Sequence, residues 1–117
     1  MNRTYVGIAG SRDFNALYKI EELIDSLPAS VIIVTGHPCR GVDDHARSYA
    51  VKKGISVIDI PALWEAHGKG AGFRRNPIIV DVSDTLYAFW DGKSKGTKHT
   101  IAIAESQNVP TVVINDE

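Results

Sequence analysis

Cysteine is almost missing from this chain. Cys39 is the only one in 117 residues, so no disulfide can form within it, and a reducing cytoplasm is the expected compartment. Long apolar runs are missing as well: none approaches the roughly 18 residues of a membrane-spanning helix. The N-terminus passes directly into a strand-like segment at residues 4–9, without a secretory hydrophobic region. Charge of one sign is not in surplus. The net charge of −1 gives no global electrostatic reason to expect nucleic acid as a partner. The four histidines lack the ligand spacing of a zinc site, so neither a metal nor a cofactor is expected. There is no repeat, low-complexity tract or linker, and the length fits a single domain over residues 1–117.

What is present is alternation. β-branched runs lie at residues 5–9, 31–34, 55–60, 85–90 and 111–114. Several are apolar nearly throughout, as strands covered on both faces should be. Helical spacing separates them. Leu17, Ile20, Ile24 and Leu27 recur at three and four, as do Val42, Ala46, Tyr49 and Ala50, with Gly54 placed as a stop. Residues 97–107 form a further helical pattern ended by Asn108. Pro77 has no N–H to donate, so the helix that contains it is expected to begin between Phe73 and Asn76 and to run to about Val82. The pattern predicts an α/β fold: one Rossmann-like, doubly wound, parallel five-stranded sheet of order 3-2-1-4-5, with helices on both faces.

In such a sheet ligands bind beyond the carboxyl ends of the strands, where the strand order reverses. That point falls between the first and fourth strands. The loops that follow them are Gly10-Ser11-Arg12-Asp13-Phe14 and Asp91-Gly92-Lys93-Ser94-Lys95-Gly96-Thr97. Both carry glycine and hydroxyl residues, and Gly96-Thr97 is expected to open a helix whose free N–H groups attract an anion. Arg12, Arg40, Arg74, Arg75, Lys93, Lys95 and Lys98 follow strand ends or open the next helix, and His37, His45, His67 and His99 fall on the same side. Taken singly, a glycine loop is a turn and an exposed lysine is solvated; their coincidence at one rim points to an anionic ligand. Trp64 and Trp90 suit a core, and Trp90, at a strand end, also suits stacking on a base. Cys39 reads as a bystander near the rim.

Four stretches resemble the SLOG superfamily, in particular its small stand-alone branch related to the bacterial YspA and YpsA proteins. They are GIAGSRDF at residues 7–14, VTGHPCRGVDDHA at 34–46, GKGAGFRRNPIIV at 68–80 and AFWDGKSKGTKHTI at 88–101. The resemblance implies a Rossmann-like sheet and a nucleotide-type ligand. Its members include LOG-type phosphoribohydrolases, domains that sense NAD-derived signals and the DNA-processing protein of natural transformation. It carries over Gly10, Ser11 and Arg12 as a first ligand loop, and Gly36, Gly41, Val42 and Asp43 as a second. Arg75 and Asn76 follow on the third helix, and Gly96 and Thr97 as a phosphate turn. The hydrolases have a PGGxGTxxE turn whose glutamate assists glycosidic cleavage. Here Thr100 takes that place, and a hydroxyl cannot replace a carboxylate as a base.

The leading expectation is therefore a protein that binds, and so senses or sequesters, a phosphate-bearing nucleotide or an ADP-ribose-like molecule. Phosphate would lie on Gly96-Thr97 and Ser11, with Arg12 or Arg75 as charge partner and the base near Trp90 or Phe14. One alternative is an N-glycosidic nucleotide hydrolase, with Asp91 supplying the carboxylate beside Arg75. Another is a nucleic-acid-binding module, which no DNA- or RNA-binding motif supports. A homodimer or higher homo-oligomer is the default for a symmetric assembly.

Overall fold

The computed structural model describes residues 3–36, 41–63 and 68–117. His37, Pro38, Cys39, Arg40, Trp64 and His67 lie outside them. The elements run β1 (Tyr5–Gly10), α1 (Tyr18–Ser26), β2 (Ile32–Thr35), α2 (Val42–Lys52), β3 (Ser56–Asp59), a 3₁₀ turn (Gly68–Gly70), α3 (Ala71–Val82), β4 (Thr85–Trp90), α4 (Lys95–Ser106) and β5 (Thr111–Asn115). The strands form one sheet of order β3-β2-β1-β4-β5. Every neighbouring pair is parallel, as the alternation of strand and helix dictates. No helix among the described residues is long and apolar enough to cross a membrane.

Period-two alternation in β1 sorts the helices onto the two faces. Val6 and Ile8 join Ile20, Ile24, Val42, Ala46 and Ala50 in a core beneath α1 and α2. Ala9 turns the other way, into a smaller core with Leu86, Val80 of α3 and Ala104 of α4. Gly7 points to that second face, where a Cβ would lie 2.3 Å from Ser83 Oγ. At Gly7 and Ala9, β1 offers the helix pair there only a hydrogen and a methyl. The chain ends α2 with Gly54 at φ +79° and α4 with Asn108 at φ +59°, the left-handed stops foreseen in the sequence. Past β5, the Asp116 carboxylate accepts from the backbone N–H groups of Asn15 and Ala16, fastening the loop after β1.

Two helix starts differ from expectation. α3 begins at Ala71, so Pro77 sits in its interior. The Phe73 carbonyl thereby loses its usual donor, at a typical cost of about 3 kcal/mol. Burial of Ala71, Asn76, Ile79 and Val80 along one side offsets it, and the 3₁₀ turn leads the chain into the helix. α4 begins at Lys95 because Ser94 is the N-cap, with its Oγ accepting from Thr97 N–H. Gly96 and Thr97 therefore lie inside the first turn and do not open it.

The carboxyl ends of β1 and β2 meet the start of α2 at close range. A Cβ on Gly10 would come within 2.5 Å of Val42 Cβ, the first residue of α2. Val42 is fully buried and β-branched, so it has no room to turn aside. We expect Gly10→Ala to destabilise the protein by about 1–3 kcal/mol, the usual penalty for overpacking. Urea unfolding followed by circular dichroism measures this; a midpoint equal to that of the unsubstituted protein would refute the contact.

Candidate ligand-binding site

The rim divides into two halves, one on each side of the β1 carboxyl end. The first lies between β1 and β4. Ser11 N–H donates to the Phe89 carbonyl at 3.0 Å, and Ser11 Oγ accepts from Asp91 N–H at 3.1 Å. Ser11 Oγ also stands 3.5 Å from Thr97 Oγ1, which in turn donates to Ser94 Oγ at 3.2 Å. The Asp91 carboxylate closes its own turn: Oδ1 accepts from Lys93 N–H and Ser94 N–H, both at 2.8 Å. These backbone donors hold the Asp91 carboxyl below the ordinary range. Trp90 Nε1 donates to the Ser94 carbonyl at 3.0 Å.

This half is largely self-satisfied. The sequence placed a free amide at Thr97, but Ser94 Oγ takes it at 3.3 Å. The first-turn amides of Lys95 and Gly96 remain, having no carbonyl four residues back in the helix. Ser11 and Thr97 are buried, their hydroxyls turned toward each other. Thr100 is buried too and donates back to the Gly96 carbonyl at 3.1 Å. Asp91, ionised and engaged by two amides, is poorly suited to carry a proton to a leaving group.

The second half lies over β2 and the start of α2. Gly36 and Gly41 shape it. Arg75 reaches across the end of β2, so a Cβ on Gly36 would overlap Arg75 Nη1 at 2.1 Å. Gly41 has φ +82°, and a Cβ there would stand 2.6 Å from Arg12 Cα. Gly41 demands glycine, for its approach to the Arg12 backbone and for its positive φ, whereas a side chain at Gly36 would push Arg75 aside. Arg75 is held by Nη1 donating to the Ile60 carbonyl at 3.3 Å and by Nε donating to Asn76 Oδ1 at 3.2 Å.

Asp43, in the first turn of α2, lies beneath this arginine. The residue is half-buried, while its Oδ1 is closed to solvent and has no hydrogen-bond partner among the described residues. Burial pushes the Asp43 carboxyl up to about 7. The positive charge of Arg75 opposes this, Asp59 adds to it, and the Gly36 backbone N–H and Arg12 oppose it further. Burial also lowers the Arg75 guanidinium from its usual value, with Asp43 acting against the shift. Arginine nevertheless stays charged in any accessible pH range. The rim thus has two carboxylates of opposite character, Asp91 stabilised as the anion and Asp43 pressed toward neutrality.

Asn76 joins the halves. Buried on α3, it donates through Nδ2 to the Gly96 carbonyl at 3.3 Å and to His99 Nδ1 at 3.2 Å, while accepting from Arg75. The residues singled out from sequence therefore gather as two groups with a bridge. Ser11, Trp90, Asp91, Gly96 and Thr97 form one. Arg12, Gly36, Gly41, Asp43 and Arg75 form the other. Phe14 belongs to neither: it is buried, edge-on to Phe89 at 5.6 Å, so a base cannot stack on it. Arg74, Lys93, Lys95 and Lys98 are exposed. Asp59 was missed. It accepts from Thr35 Oγ1 at 2.7 Å and Arg47 Nε at 2.9 Å and acts on Asp43. A lone carboxylate near the end of the apolar run 55–60 was the readable sign of it. His99, beside Asn76, also stands edge-on to the half-exposed Phe73, ring centroids 4.7 Å apart.

The sequence profile of the YspA, cpYpsA-related SLOG family matches residues 4–67. The Gene 61 protein of Mycobacterium phage D29 is 34% identical over 122 aligned residues, covering 94% of this chain and 95% of that protein. Among solved structures, the molybdenum cofactor carrier protein of Chlamydomonas reinhardtii superposes with a TM-score of 0.74. It is 24% identical and covers 96% of this chain and 76% of its own. DNA processing protein A of Helicobacter pylori gives a TM-score of 0.71 at 20% identity, covering 94% of this chain and 64% of its own. At these identities the two structures speak for the fold.

Asp43 makes stability depend on pH with a definite sign. Its carboxyl titrates near 7 in the folded protein against an ordinary value of 3.8. Between those values the unfolded chain releases the proton and the folded one keeps it, so this residue's contribution falls as pH rises and is fully lost above about 7. Asp43→Asn removes the ionisation. The substituted protein should gain stability over the parent progressively from about pH 4 to pH 8, by no more than about 4 kcal/mol at 1.36 kcal/mol per pKa unit. Chemical unfolding of both proteins across that range tests it, and parallel curves would show that Asp43 ionises normally.

Proposed function

From this chain, which belongs to the YspA, cpYpsA-related SLOG family, we infer a binding protein for a phosphate-bearing nucleotide or nucleotide-derived ligand such as an ADP-ribose-like molecule. Residues 1–117 act in this reading as one binding domain that senses or sequesters the ligand. The observation that carries it is the placement of Arg12 and Arg75 around the uncapped start of α2, beside Gly36 and Gly41. Two guanidinium groups and a helix N-terminus together favour an anion. Phosphate would sit there, extending toward the amides of Lys95 and Gly96, with Asn76 setting the distance between the two subsites. Trp90 is the aromatic left for the base, since Phe14 is core.

The structural neighbours fit such a module without fixing its ligand. The Chlamydomonas protein carries the molybdenum cofactor, and the Helicobacter protein binds single-stranded DNA. Nucleic acid is thus a second reading, and a steep salt dependence of DNA binding would favour it. A hydrolase is disfavoured on chemical grounds. Thr100 is tied to the Gly96 carbonyl where the family's enzymes place a glutamate, and Asp91 is held ionised. Incubation with adenosine monophosphate should release no adenine at an ordinary enzymatic rate of about one per second.

Arg75 and its neighbour Arg74 provide the sharper test. Arg75 lies across Gly36, whereas Arg74 is exposed, as expected of adjacent residues about 100° apart on a helix. Arg75→Ala should weaken binding of the tightest nucleotide in a panel by about 1.5–3 kcal/mol, the worth of a charge-assisted hydrogen bond. Arg74→Ala should cost clearly less. Calorimetric titration of both decides it; equal losses, or a greater one at Arg74, would move the phosphate site elsewhere.

A further inference from the structure

The Asp43 carboxyl is the polar group in the cleft with the least to hold it. Its Oδ1 is closed to solvent and unpartnered among the described residues, although buried polar atoms in folded proteins are nearly always paired. The groups that face it come from four other segments. Arg75 on α3, Arg12 after β1 and the backbone N–H of Gly36 after β2 favour its charged form, and Asp59 at the end of β3 opposes it. Asp44 and His45 follow it on α2 itself. Asp59 is engaged elsewhere by Arg47 and Thr35.

Two guanidinium groups around one half-buried carboxyl make a cleft that attracts an anion. An anion seated there places a second negative charge beside Asp43. Like charges at close range in a desolvated site are not both retained, and one group takes up a proton. A phosphodiester oxygen is a far weaker base than a carboxylate, so the carboxyl is the group that neutralises. Once protonated it becomes a donor, which is what an acceptor-only ligand group needs.

We propose that the cleft takes up its anionic ligand together with one proton, which Asp43 holds and donates as a hydrogen bond to a phosphate oxygen placed between Arg12 and Arg75. This rests on the reading of the cleft as a nucleotide-phosphate site and adds a regulatory property to it. The proton comes from solvent on binding and returns there on release; no other bond is made or broken. The site therefore selects ligand groups that are fully ionised acceptors, such as the pyrophosphate diester of an ADP-ribose-like molecule, and loses affinity as the medium becomes alkaline. Asp43 already titrates near 7 without ligand, so the coupling is weak in acid and grows above neutrality.

ADP-ribose is the probe, because a diester lacks the phosphomonoester ionisation near pH 6. Calorimetry near pH 8, in two buffers of different ionisation enthalpy, should show uptake approaching about one proton per ligand. Affinity should fall about tenfold per pH unit above 7. Asp43→Asn has no proton to gain, so its affinity should be flat over the same range and its proton uptake nil. Wild-type binding without proton uptake, or uptake that survives in Asp43→Asn, overturns the proposal. If ADP-ribose binds neither protein, the nucleotide reading fails for that ligand, and the coupling is decided separately with inorganic sulfate. Carbon-13 NMR titration of the Asp43 carboxyl, with sulfate against chloride at equal ionic strength, should show a higher midpoint in sulfate. An unchanged midpoint overturns the proposal independently of any nucleotide.

Discussion

The arginine side of this rim depends on space left by missing side chains. Arg75 can lie across the end of β2 only because Gly36 has no Cβ, and the loop carrying Arg12 can reach the start of α2 only because Gly41 has none. Gly10 does the same one layer down, letting Val42 seat against β1. Burying Asp43 and Arg75 together works against the charge of each, and their mutual attraction only partly opposes that. The packed sheet and helices supply the rest, which is why an electrostatically uncomfortable pair is held at the mouth of an otherwise apolar fold.

The two halves of the rim solve the same problem in opposite ways. Each has a helix N-terminus at the carboxyl edge of a parallel sheet, with amide groups that need acceptors. At α4 the chain caps Thr97 with Ser94 and closes the preceding turn on Asp91, leaving the amides of Lys95 and Gly96. At α2 it supplies no side-chain cap, and φ at Gly41 leaves the backbone open. The first arrangement is partly closed by its own side chains; the second has none to close it. Asn76 links them through one amide, accepting from Arg75 and donating to the Gly96 carbonyl.

The fold was legible because parallel sheets advertise themselves. β4 falls on the residues its apolar run marked, and Gly54 and Asn108 stop helices where their backbone freedom permits. Topology placed the rim without reference to any ligand. Local chemistry was harder. Ser94 looked like one hydroxyl among several, and only its geometry reveals a cap that claims the Thr97 amide. Pro77 was read by its intrinsic preference, which burial along α3 overrode. Asp43 was marked as a ligand residue, but its neutral tendency could not be read, since it arises from burial and from Asp59 sixteen residues further along the chain.

The interior proline of α3 also divides that helix mechanically. A helix resists fraying because each turn is hydrogen-bonded to the next, and a break must propagate through consecutive rungs. Pro77 removes the rung to Phe73. The turns below it are anchored by Ile79 and Val80, and those above, which carry Arg75, by the buried Ala71 and Asn76. Opening of the upper segment has one fewer backbone bond to break, and must withdraw Ala71 and Asn76 from their contacts. Amide protection should accordingly step across Pro77 and not decline smoothly along the helix, with the step falling just past the turn that carries Arg75.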